Sequence, residues 1–433
     1  MKAAAQKIEK RIRTERSTRY KKLNLPPDFI APNYDGRSIV NVPATIIRTL
    51  GGHFHTPPLD PEITKDFTTN IQRIVLVIAD AMGYRRLLDA LDANPQNGFN
   101  KLLQRCANLV PLTSTFPSTT TAALASLWSG YTPAEHGFVG YQLFLREYGA
   151  RANMITFSPV ATADLGAQQL VDAGLEPEKF LPIPSLPQAL DYFGIPVYNF
   201  IEAPYTETAL SQVQIRGVKE TFGLVTSSDM WVVLRQQIEQ HHTERALFVA
   251  YWSALDGISH RYGPSHDAVI AELNNFGYSF EYEFLRRLAP AAREGTLFLL
   301  TADHGQLDTP PERAVFWRAH PDLRDHLVMD FVGEARAAYL YCRNGEVDAA
   351  RAYIETRLGD KFFVLNSRDA LDAGLFGSGK LAPELKHRIG NLIALARENF
   401  YWEEHDEVKM RGRHGGLAEE EMLVPLLVAR LDA

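Results

Sequence analysis

Short runs of apolar residues recur along the chain, separated by segments in which polar and apolar positions mix. The strongest runs cover residues 73–80, 246–252, 296–301 and 422–428. Continuous apolar runs of this length are typical of strands covered on both faces, as in parallel α/β sheets. Two weaker runs, 109–113 and 195–200, are expected to extend the same sheet.

The segments between these runs carry helical patterns, most clearly at residues 118–128, 230–240 and 267–288. Alternating strands and helices predict an α/β fold, with a central, mostly parallel sheet flanked by helices. Residues 308–411 break this alternation. A strand at 338–342, a helix at 347–358 and a strand at 362–365 are expected there. We interpret this stretch as a smaller inserted α+β cap.

This pattern predicts three units along the chain. Residues 1–65 form an N-terminal extension, residues 66–307 and 412–433 form the α/β core, and residues 308–411 form the cap. A chain of 433 residues, 45% hydrophobic and 22% charged, is long enough for one large domain with a smaller insertion.

Charge and composition narrow the range of functions. A formal net charge of −7 argues against a dedicated nucleic-acid binder, which needs a concentrated basic surface. Small phosphate substrates stay open, because bound metal ions supply positive charge locally. Cys106 and Cys342 are far apart and fit no CxxC pattern, which favours reduced thiols.

The first 22 residues are basic and polar, without the apolar stretch of a secretory signal. No apolar run approaches the roughly 20 residues that span a bilayer. We therefore expect a soluble, cytoplasmic protein without a transmembrane segment. The basic segment is interpreted as a solvated helix rather than a lipid-binding face.

Three aspartates follow predicted strands. Asp80, Asp256 and Asp303 each lie just past the C-terminal end of an apolar run. In open α/β sheets that edge forms the ligand crevice. Three carboxylates meeting there are costly unless cations bind. The pattern therefore predicts a metal site at this edge.

Histidines accompany these aspartates. His260 follows Asp256 by four residues, His304 is adjacent to Asp303, and His414 lies among the glycines of residues 412–416. A single aspartate after a strand is more often a turn or helix cap. The joint occurrence of the pairs favours a metal centre. Mixed aspartate and histidine ligation suits zinc, with manganese or iron as alternatives.

A run of hydroxyl residues, Ser118 to Thr121, follows Pro117 and precedes an Ala- and Leu-rich helical segment. A threonine at such a helix start has two interpretations. It is an N-cap, or it is a nucleophile activated by a metal beside a helix N-terminus that holds a phosphate.

Six blocks in order resemble the alkaline phosphatase superfamily, and within it the type I phosphodiesterase/nucleotide pyrophosphatase branch. They are the aspartate after the first strand, Phe-Pro-Ser-x-Thr at 116–120, Ser-Gly-Tyr-x-Pro-x-x-His-Gly at 129–137, Asp-Gly-x-x-His at 256–260, Thr-Ala-Asp-His-Gly at 301–305 and His-Gly at 414–415. The resemblance runs from residue 74 to residue 428. It implies an alkaline-phosphatase-like fold and a metal-dependent phosphoester hydrolase.

The resemblance also assigns roles to residues. The family's nucleophilic threonine lies ten residues before a glycine. Gly130 is that glycine here, so the resemblance implies Thr120 as the nucleophile. It implies two divalent ions, and it implies hydrolysis of phosphodiester or pyrophosphate bonds through a phospho-threonine. His136 matches a structural histidine. The implied ligand sets are Asp256, His260 and His414 for one ion, and Asp80, Asp303, His304 and the Thr120 oxygen for the other.

One position departs from the family pattern. Where an asparagine usually contacts a phosphoryl oxygen, this chain has Tyr141, followed by Gln142. Either side chain replaces the amide, or the substrate differs. A phosphomonoesterase or phosphonate hydrolase on the same dinuclear site therefore stays open beside the phosphodiesterase. The expected partner is a small phosphoester, with nucleotides among the candidates, and the sequence indicates no oligomeric state.

Overall fold

The structure is a computed structural model that describes residues 2–105 and 107–433. Cys106, one of the two thiols expected to be reduced, lies outside the described residues. The strands are β1 Arg73–Ala79, β2 Asn108–Thr113, β3 Gln142–Leu145, β4 Ala150–Asn153, β5 Ser158–Pro159, β6 Val197–Glu202, β7 Glu220–Leu224, β8 Ala246–Trp252, β9 Thr296–Thr301, β10 Leu307–Asp308, β11 Ala314–Phe316, β12 Val332–Glu334, β13 Ala337–Leu340, β14 Phe362–Asn366, β15 Leu392–Ala396, β16 Tyr401–Glu403, β17 Gly412–Arg413 and β18 Leu423–Arg430.

The helices lie mostly between strands. They are α1 Lys2–Arg19, α2 Asn41–Thr49, α3 Pro61–Thr64, α4 Tyr84–Ala93, α5 Gly98–Leu103, α6 Thr120–Leu127, α7 Pro133–His136, α8 Gln169–Asp172, α9 Pro177–Phe180, α10 Leu186–Asp191, α11 Ala209–Gln214, α12 Ser227–Gln240, α13 Ala254–Tyr262, α14 Asp267–Ser279, α15 Pro290–Arg293, α16 Pro321–Asp325, α17 Val347–Leu358, α18 Ser367–Asp372, α19 Leu385–Arg388 and α20 Glu419–Met422. Short 3₁₀ segments cover Lys21–Leu23, Val160–Leu165, Ala203–Tyr205, Pro311–Arg313 and Trp317–Ala319, and a π-helical segment covers Phe280–Leu285.

A seven-stranded sheet in the order β2-β18-β9-β1-β8-β6-β7 forms the centre of the fold. Strands β9, β1, β8, β6 and β7 pair in parallel. Every residue of β1 and β8 is buried, as expected for strands covered on both faces. The predicted strands are therefore confirmed, and the α/β fold with flanking helices is confirmed with them.

The central sheet is mixed rather than simply mostly parallel, because β18 runs antiparallel to both of its neighbours. Leu426 of β18 faces Thr301 at the end of β9. The chain returns to the central sheet from the His414 loop, at the edge where the parallel strands end. Strand β18 therefore starts at that edge and runs in the opposite direction. Burial alone does not reveal this direction.

A second sheet, also seven-stranded, has the order β14-β15-β13-β12-β3-β4-β5, and its neighbouring strands are antiparallel. It combines strands β12 to β15 from the predicted cap with strands β3 to β5, which precede that segment by more than a hundred residues. Helix α17 and strand β14 occur where the sequence pattern predicts them. The domain boundaries themselves stay predictions.

The N-terminal helix α1 packs on the body of the protein. Ile8 and Ile12 are each 1% exposed. Two of its basic side chains pair with acidic residues of the body, Arg11 with Asp60 at 2.9 Å and Arg13 with Glu419. In the described part of the chain, no helix combines the length and apolar character needed to cross a membrane.

The segment after α6, which includes α7, packs against that helix. Thr132 caps α7 in a reciprocal capping box with Glu135, and Gly137 ends it with φ +80°. His136 is fully buried, with Nε2 3.0 Å from the Ser126 Oγ of α6. Its Nδ1 accepts the Phe138 N–H at 3.1 Å, so Nε2 carries the proton of a neutral ring. These contacts support a structural role for His136.

Burial lowers the pKa of His136 from 6.5 to about 3. The unfolded chain therefore binds a proton at His136 more readily than the folded chain does. The contribution of neutral His136 to the free energy of unfolding is complete above pH 6.5 and is lost as the pH falls toward 3. We expect acidification from pH 7 to pH 5 to remove about 2 kcal/mol through this residue alone.

The measurement is urea unfolding at pH 7 and pH 5 for the native chain and for His136→Asn. The asparagine oxygen still accepts the Phe138 N–H but does not titrate. The variant should lose less stability on acidification. An equal loss in both proteins would show that His136 does not carry this pH dependence.

Candidate metal centre and active site

The three aspartates predicted to meet do meet, because β8, β1 and β9 are neighbours in the central sheet. Asp80 directly follows β1, and Asp256 lies in the first turn of α13 after β8. Asp303 follows β9 with one residue between them. Ala81, next to Asp80, has φ +60°, which costs a non-glycine residue about 1 kcal/mol or more. This strained turn directs the chain away from the sheet immediately after the carboxylate.

One cluster contains Asp256, His260 and His414, whose ligating atoms lie within 4.8 Å of one another. The Asp256 Oδ1 atom is 3.2 Å from His260 Nε2 and 3.7 Å from His414 Nε2. This oxygen is buried and has no hydrogen-bond partner among the described residues. The three atoms leave a gap that a cation would fill.

A second cluster surrounds His304. Its Nε2 atom lies 3.4 Å from Asp80 Oδ1 and 3.4 Å from Asp303 Oδ2. Both oxygens are buried, again without a hydrogen-bond partner in the described chain. Asp256 also falls within 4.8 Å of the Asp80 and His304 ligating atoms, so it lies between the two clusters. The sequence-based set of Asp80, Asp303 and His304 is thus brought together, with Asp256 close to it.

A backbone carbonyl lies within hydrogen-bond distance of Nδ1 in each clustered histidine, and Nδ1 of His260 also lies 2.9 Å from Gln306 Nε2. Nδ1 of His260 is 2.8 Å from the Gly412 oxygen, that of His304 is 2.9 Å from the Gly305 oxygen, and that of His414 is 3.0 Å from the Ser118 oxygen. An Nδ1–H that donates to a carbonyl leaves the Nε2 lone pair free. Metal-binding histidines are held in this way.

The outer oxygens of the carboxylates are also held. The Tyr251 hydroxyl donates to Asp80 Oδ2, and the backbone N–H groups of Ala81 and His304 donate to Asp303 Oδ1 at 3.3 and 2.9 Å. Asp80 and Asp303 therefore each turn the other oxygen toward the clusters. Tyr251 was not predicted, since it lies inside an apolar strand without any local signal.

Burial and mutual repulsion shift the pKa values of the clustered aspartates and histidines. Burial and neighbouring carboxylates raise the pKa of Asp80, and burial raises that of Asp303. Burial also lowers the pKa of His414 well below its usual value. Although burial pushes the pKa of Asp256 upward, the adjacent histidines lower it overall. Free carboxylate oxygens facing free imidazole lone pairs fit divalent cations, and the nitrogen and oxygen donors suit zinc.

Thr120 is the first residue of α6 and is 9% exposed. Its Oγ1 lies 3.0 Å from His304 Nε2, to which the hydroxyl donates. No side-chain cap is present at the N-terminus of α6. The Thr120 hydroxyl therefore faces the second cluster rather than capping its helix.

Contacts from remote segments position the His414 loop against α6. The Ser118 Oγ donates to the Gly416 oxygen at 2.9 Å and accepts the Gly415 N–H at 3.2 Å. Glu421 accepts the Gly416 N–H at 2.9 Å and pairs with Arg336 of the second sheet at 3.0 Å, both side chains being fully buried. Sequence reasoning missed this pair, whose members are 85 residues apart.

Tyr141 and Gln142 line a cavity that also contains Thr120 and Asp256. The Tyr141 oxygen accepts from Asn153 Nδ2 at 2.7 Å, which leaves its own proton free to donate. The Gln142 Oε1 accepts from Arg151 at 3.0 Å, which leaves its amide hydrogens free. Both side chains thus present donors, as an anionic phosphoryl group requires.

Glu334 is a further buried group at this wall, and sequence reasoning did not identify it. Its Oε1 accepts the Tyr141 N–H at 2.6 Å. Burial raises the pKa of Glu334 to about 8, against the effect of hydrogen bonds from Thr119 and Tyr141. The second sheet therefore contributes to the wall beside the segment that carries Thr120.

The family model of type I phosphodiesterase / nucleotide pyrophosphatase matches residues 74–417. The chain belongs to this family. The resemblance drawn from the ordered motifs is thereby confirmed, and the protein is an enzyme of the phosphodiesterase/pyrophosphatase family. A search of the curated proteins gave no significant match.

Solved structures share the fold of this type I phosphodiesterase/nucleotide pyrophosphatase family member. Murine ectonucleotide pyrophosphatase/phosphodiesterase 5 is 16% identical, with a TM-score of 0.60 over 82% of this chain and 88% of that one. The human protein is 17% identical, with a TM-score of 0.60 over 82% and 87%. Phosphonoacetate hydrolase from Sinorhizobium meliloti 1021, bound to phosphonoformate, is 17% identical, with a TM-score of 0.58 over 83% and 90%.

The buried pair of Glu421 and Arg336 generates a prediction about the His414 loop. Glu421→Gln leaves the guanidinium without its counter-charge, and breaking such a pair costs about 3–5 kcal/mol. We expect that loss in chemical unfolding, together with weaker binding of divalent metal.

The matched control is Glu419→Gln, two positions away, whose side chain is 28% exposed and pairs with Arg13 and Arg85. Exposed pairs contribute about 1 kcal/mol or less. Equal losses in the two variants would contradict the importance of the buried pair.

Proposed function

We propose that this enzyme hydrolyses phosphodiester or pyrophosphate bonds with two divalent metal ions and Thr120 as nucleophile. The observation that carries the proposal is the position of the Thr120 hydroxyl, 3.0 Å from His304 Nε2. The two clusters of free carboxylate oxygens and imidazole lone pairs adjoin that point.

One ion would be held by Asp256, His260 and His414, and the other by Asp80, Asp303, His304 and the Thr120 oxygen. Zinc is proposed from the mixed donors, with manganese or iron as alternatives. When bound, the ions supply positive charge that favours the alkoxide of Thr120 and stabilises charge on the phosphoryl and leaving oxygens.

The chain's own groups account for the bond changes. The Thr120 Oγ gives its proton to solvent water and attacks phosphorus, and the bond from phosphorus to the leaving oxygen breaks with its electron pair. The leaving oxygen departs as its anion or takes up a proton from solvent. A water molecule then attacks the phospho-threonine and gives one proton to solvent, the bond from phosphorus to Oγ breaks, and Oγ takes up a proton, which restores Thr120. The fixed histidine tautomers keep the surrounding charges in place without reorganisation.

Tyr141 and Gln142 are proposed to contact the phosphoryl oxygens in place of the family's asparagine. Asn153 and Arg151 donate to their oxygens, and the Tyr141 proton and the Gln142 amide hydrogens stay available to the substrate. Nucleotides are among the candidate substrates, since a solved relative, an inactive variant of murine ectonucleotide pyrophosphatase/phosphodiesterase 5, is in complex with AMP.

Thr120→Ala should lower kcat for bis-p-nitrophenyl phosphate by about 10³-fold or more, because no other oxygen replaces the nucleophile. Thr120→Ser keeps an oxygen and is the matched control, which should retain part of the activity. The assay is run with zinc or manganese, after chelation and after adding metal back. Acid-quenched native enzyme is examined by mass spectrometry for phosphate on Thr120.

Full turnover by Thr120→Ala with metal still bound would contradict the nucleophile assignment. Parallel assays with p-nitrophenyl phosphate and phosphonoacetate separate the alternative functions. A chelator-sensitive preference for the monoester or the phosphonate would replace the diesterase proposal with the phosphomonoesterase or phosphonate hydrolase.

Tyr141→Phe should lower kcat by about 10- to 100-fold, because a donor that stabilises charge on a phosphoryl oxygen is lost while the ring stays. Tyr148→Phe is the matched control, since Tyr148 is 38% exposed and outside the centre. Steady-state kinetics on bis-p-nitrophenyl phosphate measure the effect. Equal, small changes in both variants would show that the Tyr141 hydroxyl does not contact the reacting group.

A further inference from the structure

Two cavities meet at the nucleophile. One of about 380 Å³ and one of about 350 Å³ share Thr120, Ile155 and Asp256 in their walls. We call the first, which contains Glu334 and Trp402, the cap lobe. We call the second, which contains Trp128 and Gln214, the helix lobe. A phosphorus atom beside Thr120 would therefore have room for one substituent on each side.

The helix lobe is lined by apolar residues and by uncharged polar ones such as Thr156, Ser211 and Gln214. Leu124, Trp128, Ile201 and Ile215 contribute apolar surface. Besides Asp80 and Asp256 of the metal centre, no described residue in its wall is charged. Gln214 is 4% exposed, and its Nε2 atom is buried without a hydrogen-bond partner among the described residues. This lobe fits an apolar substituent that carries an acceptor oxygen or nitrogen.

The positive charge near the cap lobe is already paired. Arg413 is the single lysine or arginine among the described residues that line either lobe, and it binds Glu403 at 2.6 Å. Arg151, just behind the wall, binds Glu404 at 2.6 Å. Glu334 adds a third carboxyl without a cationic partner in the described chain. Among the described residues, neither lobe therefore offers an unpaired lysine or arginine to an anionic substituent.

We propose that the substrate is a phosphodiester with uncharged groups on both sides of the phosphorus, an apolar one of them occupying the helix lobe. This inference rests on the proposed function, since it assumes chemistry at Thr120, and it favours the phosphodiester over the pyrophosphate bond. Bound metal would neutralise the phosphoryl group itself, but an additional carboxylate or phosphate on a substituent meets apolar, uncharged polar or acidic side chains and no unpaired lysine or arginine among the described residues. Burying such a charge without a partner is costly.

The test compares three diesters that share the p-nitrophenolate leaving group and differ in the retained group, which is phenyl, 4-carbamoylphenyl or 4-carboxyphenyl. The carbamoyl compound matches the carboxylate in size but has no charge, and its carbonyl oxygen suits the Gln214 amide. We expect similar kcat/KM for phenyl and carbamoylphenyl. The carboxyphenyl compound should be lower by about 10-fold or more. Rates without enzyme correct for intrinsic reactivity.

Equal kcat/KM for the carbamoyl and carboxyl compounds, or a preference for the carboxylate, would overturn this inference and leave the proposed phosphodiesterase intact. No hydrolysis of any of the three by metal-loaded enzyme would instead contradict the proposed function. Gln214→Leu adds a second measurement. It should reduce kcat/KM for the carbamoyl compound more than for the phenyl compound, and an equal effect on both would count against the acceptor contact.

Discussion

The meeting of three aspartates at one edge of the central sheet is the constraint on which the active site depends. Asp80, Asp256 and Asp303 follow strands that are neighbours, so their carboxylates approach one another, with Asp80 and Asp303 buried and Asp256 partly buried. Such a group of charges is unstable without cations. The surrounding contacts hold the outer oxygens and the histidine Nδ1 protons, which leaves the inner atoms facing one another for metal binding.

The second sheet is part of this site rather than a separate cover. Its Arg336 pairs with Glu421, which holds the loop that carries His414, while Ser118 ties the same loop to the nucleophile segment. Its Glu334 binds the backbone of Tyr141. The positions of Thr120 and His414 are therefore coupled through buried hydrogen bonds. Such preorganised contacts reduce the rearrangement needed during catalysis.

The positive charges near the site are paired with carboxylates. Arg413 and Arg151 lie at or just behind the wall, yet their partners Glu403 and Glu404 neutralise them. Positive charge is thereby left to the metal centre, where the phosphoryl group would lie. The walls on either side provide apolar contact, uncharged polar groups and paired charges. Family membership establishes the class of enzyme.

The sequence by itself determined the buried strands, the aspartates at their ends and the histidines beside them, because strands covered on both faces need continuous apolar runs and end at a common edge. Only the tertiary structure decided the direction of β18, the joining of β3 to β5 with the second sheet, and the roles of Tyr251 and Glu334. Those features depend on which remote segments become neighbours. A local sequence pattern indicates burial and periodicity, but it does not indicate which remote strand pairs with a given strand.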